Sequence, residues 1–214
     1  CVYDSIARSY LLQCSFMRTT EIIGLAGTNG SGKDTLGDLR HELQGSRKVS
    51  LSDILRTEAT RRDQTHEREN LRAISTEWGR QMGAGALSLM TLREHWETNG
   101  IEYGLSIVSV RRPDEARAIQ EQGGTVIWID APREVRYQRV QAGARDRIDD
   151  QVTYEQFLAQ EYVEMYPETE DPFAVNMAGV RDISDIHLVN NFGSKDEYED
   201  FLVKNFKLPE LRRK

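Results

Sequence analysis

Nine consecutive residues, Gly27-Thr28-Asn29-Gly30-Ser31-Gly32-Lys33-Asp34-Thr35, concentrate much of the chemistry available to this chain. Glycines at 27, 30 and 32 let a backbone curl until successive amide hydrogens point into one concavity. The run opens into Leu36-Gly37-Asp38-Leu39, whose helical pattern adds a positive dipole end to that field. Such a nest suits a polyphosphate. Lys33 is placed to reach β- and γ-phosphates, and Thr35 to offer a hydroxyl to phosphate or metal. The strict pattern wants Ser or Thr directly after the lysine, whereas here Asp34 fills that slot and the hydroxyl comes one place later. A carboxylate at a helix start complements the dipole, so Asp34 reads as a tolerated substitution and not as a metal ligand.

The remaining cationic chemistry is arginine. Only six of the 28 basic residues are lysine, and the planar guanidinium fork grips phosphate through two hydrogen bonds. Arg68 and Arg72 lie one helical turn apart and can clamp an anion; Arg80, two turns further, joins them only if the acceptor lies along the groove. Arg111 follows an apolar run and stands two residues after Ser109, a candidate for contacting a phosphate. Arg133, Arg136, Arg139, Arg145 and Arg147 crowd together after Asp130-Ala131-Pro132, with Glu134, Asp146, Asp149 and Asp150 among them. That group is either phosphate-facing or a surface ion-pair network. Asp53, in Ser52-Asp53-Ile54-Leu55-Arg56, either caps a helix or orients and deprotonates a hydroxyl nucleophile. His41, His66, His95 and His187 have no partners at ligand spacing.

These residues need a scaffold, and the periodicities supply one. Runs at 21–26, 48–51, 105–110, 125–129 and 186–189 are short and rich in branched apolar residues, the mark of buried parallel strands. Leu71, Ile74, Trp78 and Met82 recur at helical spacing, as do Phe157, Leu158, Tyr162 and Met165, and Tyr198, Phe201, Leu202, Asn205 and Phe206 close the chain with a further helix. Strands alternating with helices predict a parallel sheet covered on both faces. The 214 residues are 38% apolar and 29% charged, which fits one domain over 21–210 with an appendage at 1–20, where Met17 is a candidate start. Mean hydropathy is −0.61, and no apolar run approaches the roughly 18 residues of a membrane span. A formal charge of −7 argues against nucleic acid or anionic lipid as partner. Cys1 and Cys14, both in the first fourteen residues, neither staple a core nor bind metal, so a reducing cytoplasm is the expected home.

The Gly-Lys-x-Thr ending resembles the nucleoside and nucleotide kinase branch of the phosphate-loop (P-loop) proteins, adenylate-kinase-like enzymes included. The string from Arg68 to Arg80, with Thr76-Glu77-Trp78-Gly79-Arg80, looks like a helix of bacteriophage-type deoxynucleoside monophosphate kinases. Val108-Ser109-Val110-Arg111-Arg112-Pro113-Asp114-Glu115-Ala116, followed by Gly123-Gly124, is similar to that family's Asp-Val-Arg-Phe-Pro-Asn-Glu-Ala segment and double glycine. The resemblance spans 21–206. It implies an α/β P-loop NTPase fold with a five-stranded parallel sheet, an acceptor-binding helical segment at about 52–98 and an arginine-rich lid at about 131–150.

It also implies ATP and Mg2+ as cofactors and a small nucleotide, a nucleoside or deoxynucleoside monophosphate, as acceptor. Arg56, Arg68 and Arg111, with Arg72 and Arg80, would then grip the acceptor, Arg136, Arg145 and Arg147 would close over the transferring phosphate, and Asn191 would lie near the donor base. The departure is Ser109, which stands where that family has Asp, leaving Asp53 or Asp130 to supply the charge. Three alternatives stay open: a dephospho-coenzyme A kinase-like transfer to a hydroxyl with Asp53 as base, a nucleotide-hydrolysing switch, and a nucleotide-binding module without catalysis.

Overall fold

The computed structural model describes residues 21–98, 104–143, 152–167 and 171–209. Its strands are β1 (Glu21–Ala26), β2 (Arg47–Ser50), β3 (Gly104–Val110), β4 (Thr125–Asp130) and β5 (Ile186–Val189), in one sheet of order β2-β3-β1-β4-β5. Every pairing is parallel, so each strand must be followed by a crossover, and helices cover both faces. These helices are α1 (Lys33–Gln44), α2 (Leu51–Arg61), α3 (Arg68–Met82), α4 (Ala86–Glu97), α5 (Pro113–Glu121), α6 (Arg133–Ala142), α7 (Tyr154–Met165), α8 (Met177–Ile183) and α9 (Lys195–Asn205). Among the described residues no helix is long and apolar enough to cross a membrane.

Alternation along the strands sorts the core into two layers. Ile22, Ala26, Leu105, Ile107, Val126 and Trp128 pack with Leu51, Ile74, Leu87, Ile119 and Val180 from α2, α3, α4, α5 and α8. Ile23, Leu25, Val108, Ile127 and Ile129 pack with Leu36, Leu39, Tyr198 and Leu202 from α1 and α9. The last strand departs from the expectation of burial. β5 is an edge with one neighbour, and its Val189 is 67% exposed; an apolar run of four residues reads the same at an edge as in the middle of a sheet.

β3 breaks register once. Leu25 pairs with Val108 but Ala26 with Val110, which leaves Ser109 as the extra residue of a bulge, at φ 66°. The alternation therefore shifts phase: Ile107 and Val110 share one layer while Val108 lies in the other. The connection from β1 runs to β2 on one side and that from its neighbour β4 runs to β5 on the other, so the strand order reverses between them, and the crevice at their carboxyl ends is where open α/β sheets bind ligands. The glycine-rich loop sits there.

Candidate active site

Between β1 and α1 the backbone curls as its glycines allow, with φ at 145° for Gly27, 79° for Gly30 and 87° for Gly32. A β-carbon on Gly27 would stand 2.1 Å from the Ile129 carbonyl oxygen, and one on Gly32 would stand 2.4 Å from Asn190 Nδ2. No other residue fits either place. Ser31 N donates to Thr28 O at 3.3 Å, and Thr35 N to Gly32 O at 3.2 Å. The amides of Asn29, Gly30 and Gly32 donate no hydrogen bond within the described residues, and at a helix N-terminus they form an anion-binding concavity. Buried Thr28 Oγ1 and Ser31 Oγ lack partners as well. Lys33 Nζ lies 4.0 Å from Asp34, whose carboxylate is also 3.8 Å from Lys48 Nζ.

One side of this loop opens on a cavity of ≈ 120 Å³ that gathers Asn29, Lys33, Asp34, Asp53, Arg56, Arg68, Arg72, Ser109 and Arg111. Eight of the anticipated site residues thus share a wall, assembled from the loop, α1, α2, α3 and the end of β3. Asp53 pairs with Arg56 one turn along α2, so of the two carboxylates considered for the missing charge it is Asp53 that faces the cavity. Asp130 faces away from it: its carboxylate accepts from Ala131 N at 2.8 Å and lies 3.7 Å from Arg136. Ser109 and Arg111 both reach the cavity although the bulge removes the regular two-residue alternation between them. Arg80 does not join them. It is 62% exposed and bonded to Asp171 at 2.8 Å, because its turn of α3 faces the 171–176 segment.

The arginines converge on a residue that the sequence did not advertise. Glu164, in the last turn of α7, accepts on one oxygen from Arg68 Nη1 at 2.6 Å and Arg111 Nη1 at 2.9 Å, with Arg72 Nη2 at 3.7 Å. Burial works against its charge and is the largest influence, but Arg111, Arg68 and Arg72 together outweigh it and hold the carboxyl at about 2. Glu115 caps α5. It accepts from the amides of Arg111 at 2.9 Å and Arg112 at 3.1 Å and pairs with the buried Arg112 guanidinium, which also bonds Ser75 and Phe173.

Glu164 has a consequence for acid stability. Its folded value lies below the ordinary 4.5, so its stabilisation is present above pH 4.5 and is lost as pH falls toward 2. About 3 kcal/mol is at stake by the size of that shift. Urea midpoints measured at pH 5, 4 and 3 should fall accordingly, and Glu164→Gln should abolish this part of the slope.

The other side of the loop opens on a cleft of ≈ 610 Å³ between the loop, α6 and the start of α9, within the size range of small-molecule sites. Here Asn190, not Asn191, lines the cleft. Asn190 is buried and donates from Nδ2 to Ser31 O at 3.0 Å, while its Oδ1 accepts from Arg139 Nη2 at 3.2 Å. Asn191, one place beyond, is exposed and does not line the cleft, because Asn190 N still bonds Asp130 O at 2.7 Å and fixes which way each side chain leaves the strand. Arg136, anticipated in the lid, is buried among protein partners. It is 3% exposed, donates to Ala131 O at 2.8 Å and is clamped by both oxygens of Glu161 on α7. Arg145 and Arg147 lie outside the described residues, as does most of the second half of the anticipated lid.

Among the described residues no three acids, histidines or cysteines cluster as a metal cage. Magnesium does not require one: it keeps several waters and binds through few protein groups plus substrate phosphates. The hydroxyl-bearing Thr35, which lines this second cleft, suits that mode, while Asp34 is engaged by two lysines.

No family model matches the chain. It is similar to a UPF0200 protein of Thermococcus kodakarensis, 29% identical over 185 residues that cover 83% of this chain and 92% of that one. A UPF0200 protein of Pyrobaculum aerophilum is 29% identical over 187 residues, 86% of this chain and 95% of its own. Among solved structures, shikimate kinase from Bacteroides thetaiotaomicron superposes with a TM-score of 0.55 at 14% identity, covering 88% of this chain and 97% of that one. Shikimate kinase from Acinetobacter baumannii, in complex with shikimate, gives 0.51 at 17% identity over 89% and 95%. With its five-stranded parallel sheet and the loop at its switch point, this chain has the P-loop kinase fold.

Proposed function

We propose that the protein transfers the γ-phosphoryl group of ATP to the phosphate of a nucleoside or deoxynucleoside monophosphate, giving the diphosphate. The observation that carries this reading is the convergence of Arg68, Arg72 and Arg111 in one cavity with Lys33. Arginine forks are suited to a phosphate that must be held beside the loop. In this reading the donor's triphosphate lies over the amides of Asn29, Gly30 and Gly32, with its base end in the cleft of Arg139 and Asn190, and Lys33 meets the β- and γ-oxygens. Thr35 would help hold Mg2+, which supplies neutralisation of the phosphate oxygens.

The acceptor phosphate arrives ionised, so one of its oxygens attacks the γ-phosphorus without a base. The bond to the β–γ bridging oxygen breaks, and its electron pair leaves with ADP. Lys33 and the arginines position both phosphates and stabilise charge that spreads in the transition state. Asp53 holds Arg56 at the cavity mouth and takes no proton in this reaction.

The test is a panel. ATP and Mg2+ are supplied with each common ribo- and deoxyribonucleoside monophosphate, with dephospho-coenzyme A, with shikimate, and with no acceptor, and products are separated by charge. Diphosphate from one or a few monophosphates is the expected result. Phosphorylation of a hydroxyl alone would move Asp53 into the role of base, and equal ATP loss with and without acceptors would reject transfer altogether.

A further inference from the structure

We infer that a third cavity, bounded by β4, α6, α7 and α8, binds an uncharged planar ring that carries carbonyl oxygens, such as a free nucleobase. It measures ≈ 550 Å³, room for a ring with its substituents. It shares no lining residue with either cleft beside Lys33, and its ligand is neither donor nor acceptor in the proposed transfer.

Two unsatisfied polar atoms mark its wall. Trp128 and Thr28 line the cavity, both are buried, and Trp128 Nε1 and Thr28 Oγ1 find no hydrogen-bond partner. The fold brings them to the same end of neighbouring strands: Ala26 pairs with Trp128 across β1 and β4, and Thr28 follows two residues after Ala26. An indole N–H can only donate, and a buried donor left unmade is costly. A ligand that supplies acceptor oxygens is therefore preferred to a hydrocarbon of the same shape.

Charge at the wall is already matched within the protein. Arg136 is clamped by Glu161, Arg133 lies 3.4 Å from the same carboxylate, and Arg181 bonds Asp182 at 3.1 Å. Asp130 in turn lies 3.7 Å from Arg136. With each of the three lining arginines paired to an acid, an ionised ligand would displace a pair and complete none. Flatness follows from the aromatic side of the wall. Tyr162 and Tyr166 stand with ring centroids 5.3 Å apart and stay 59% and 46% exposed, while Leu158 and Met165 extend the apolar surface. Tyrosine rings left this open on a cavity wall suit the stacking of a flat ring.

The full-length protein, isotope-labelled at its tryptophans, is titrated with uracil and followed by NMR at the indole N–H signals. Trp78 and Trp96 are identified by substitution with Phe. Uracil should shift the Trp128 signal to saturation. Toluene, which has no acceptor, and benzoate, which is charged, should each bind at least about tenfold more weakly. Tyr162→Ala changes an exposed position and should weaken uracil binding about tenfold. Trp128→Phe removes the N–H and should do the same by calorimetry; if that protein does not fold, Tyr162→Ala decides alone. A Trp128 signal that does not move, a shift confined to Trp78 on α3, toluene or benzoate binding as tightly as uracil, or unchanged uracil affinity in Tyr162→Ala overturns the inference.

Discussion

Lys33→Ala is expected to fold as the wild type does and to transfer phosphoryl groups about a thousandfold more slowly. The lysine begins α1 at the rim shared by both clefts, 9% exposed, with its ammonium 4.0 Å from Asp34. In the proposed reaction its charge is fixed before the substrates arrive and meets the oxygens on which charge develops, which is where a single preorganised donor matters most. Its structural role is slight by comparison. Asp34 keeps Lys48 at 3.8 Å, and a long ion pair of this kind contributes less than about 1 kcal/mol, so the melting temperature should move by only a few degrees. Monophosphate binding should persist, because the arginines are untouched. Wild-type turnover in the mutant would remove the loop from the chemistry.

Gly27→Ala is expected to be the most destabilising single methyl in the loop, by about 3 kcal/mol or more. The added carbon meets the Ile129 carbonyl oxygen at 2.1 Å, and backbone of a central strand cannot yield as the tip of a side chain can. It also imposes a φ of 145° on an L-residue, a region that essentially only glycine occupies. For a chain of this size the melting temperature should fall by about 6 °C or more, and ATP affinity should fall with it as the amides turn away from their shared focus. A calorimetric scan paired with a nucleotide titration measures both. A Gly27→Ala protein with wild-type melting would mean that β4 lies farther from the loop than the packing places it.

The loop was legible in sequence because its information is local: three glycines, a lysine and a hydroxyl within nine residues specify a turn and a helix start. Arg56, Arg68, Arg72 and Arg111 were legible as arginines in suggestive places, and the fold brings all four to one cavity. Their shared partner was not. Glu164 lies 96 residues from Arg68 and 53 from Arg111, within an acid-rich stretch whose pattern reads as a solvated face. Helical spacing gave one pointer, since Phe157 and Met165 set the buried stripe of α7 and Glu161 and Glu164 fall beside it. The partners of Arg80 and Arg136 were hidden for the same reason: Asp171 and Glu161 pair with them from distant segments. Asn190 and Asn191 differ only in which of two neighbours ends the ladder, a question of register that propensity does not resolve.

The bulge at Ser109 decides more than one torsion angle. Because the extra residue falls between Val108 and Val110, Val110 still reaches the packed layer while Ser109 and Arg111 reach the cavity. Deleting that one residue would let the two strands pair without interruption and would even relieve the left-handed backbone. Ala26 would keep Val110 as its partner and Val110 its layer, so the loss would fall on the place of Ser109 in the cavity wall. A comparison of homologues that scores this column as a dispensable gap would therefore overlook the irregularity that places a hydroxyl in the pocket wall.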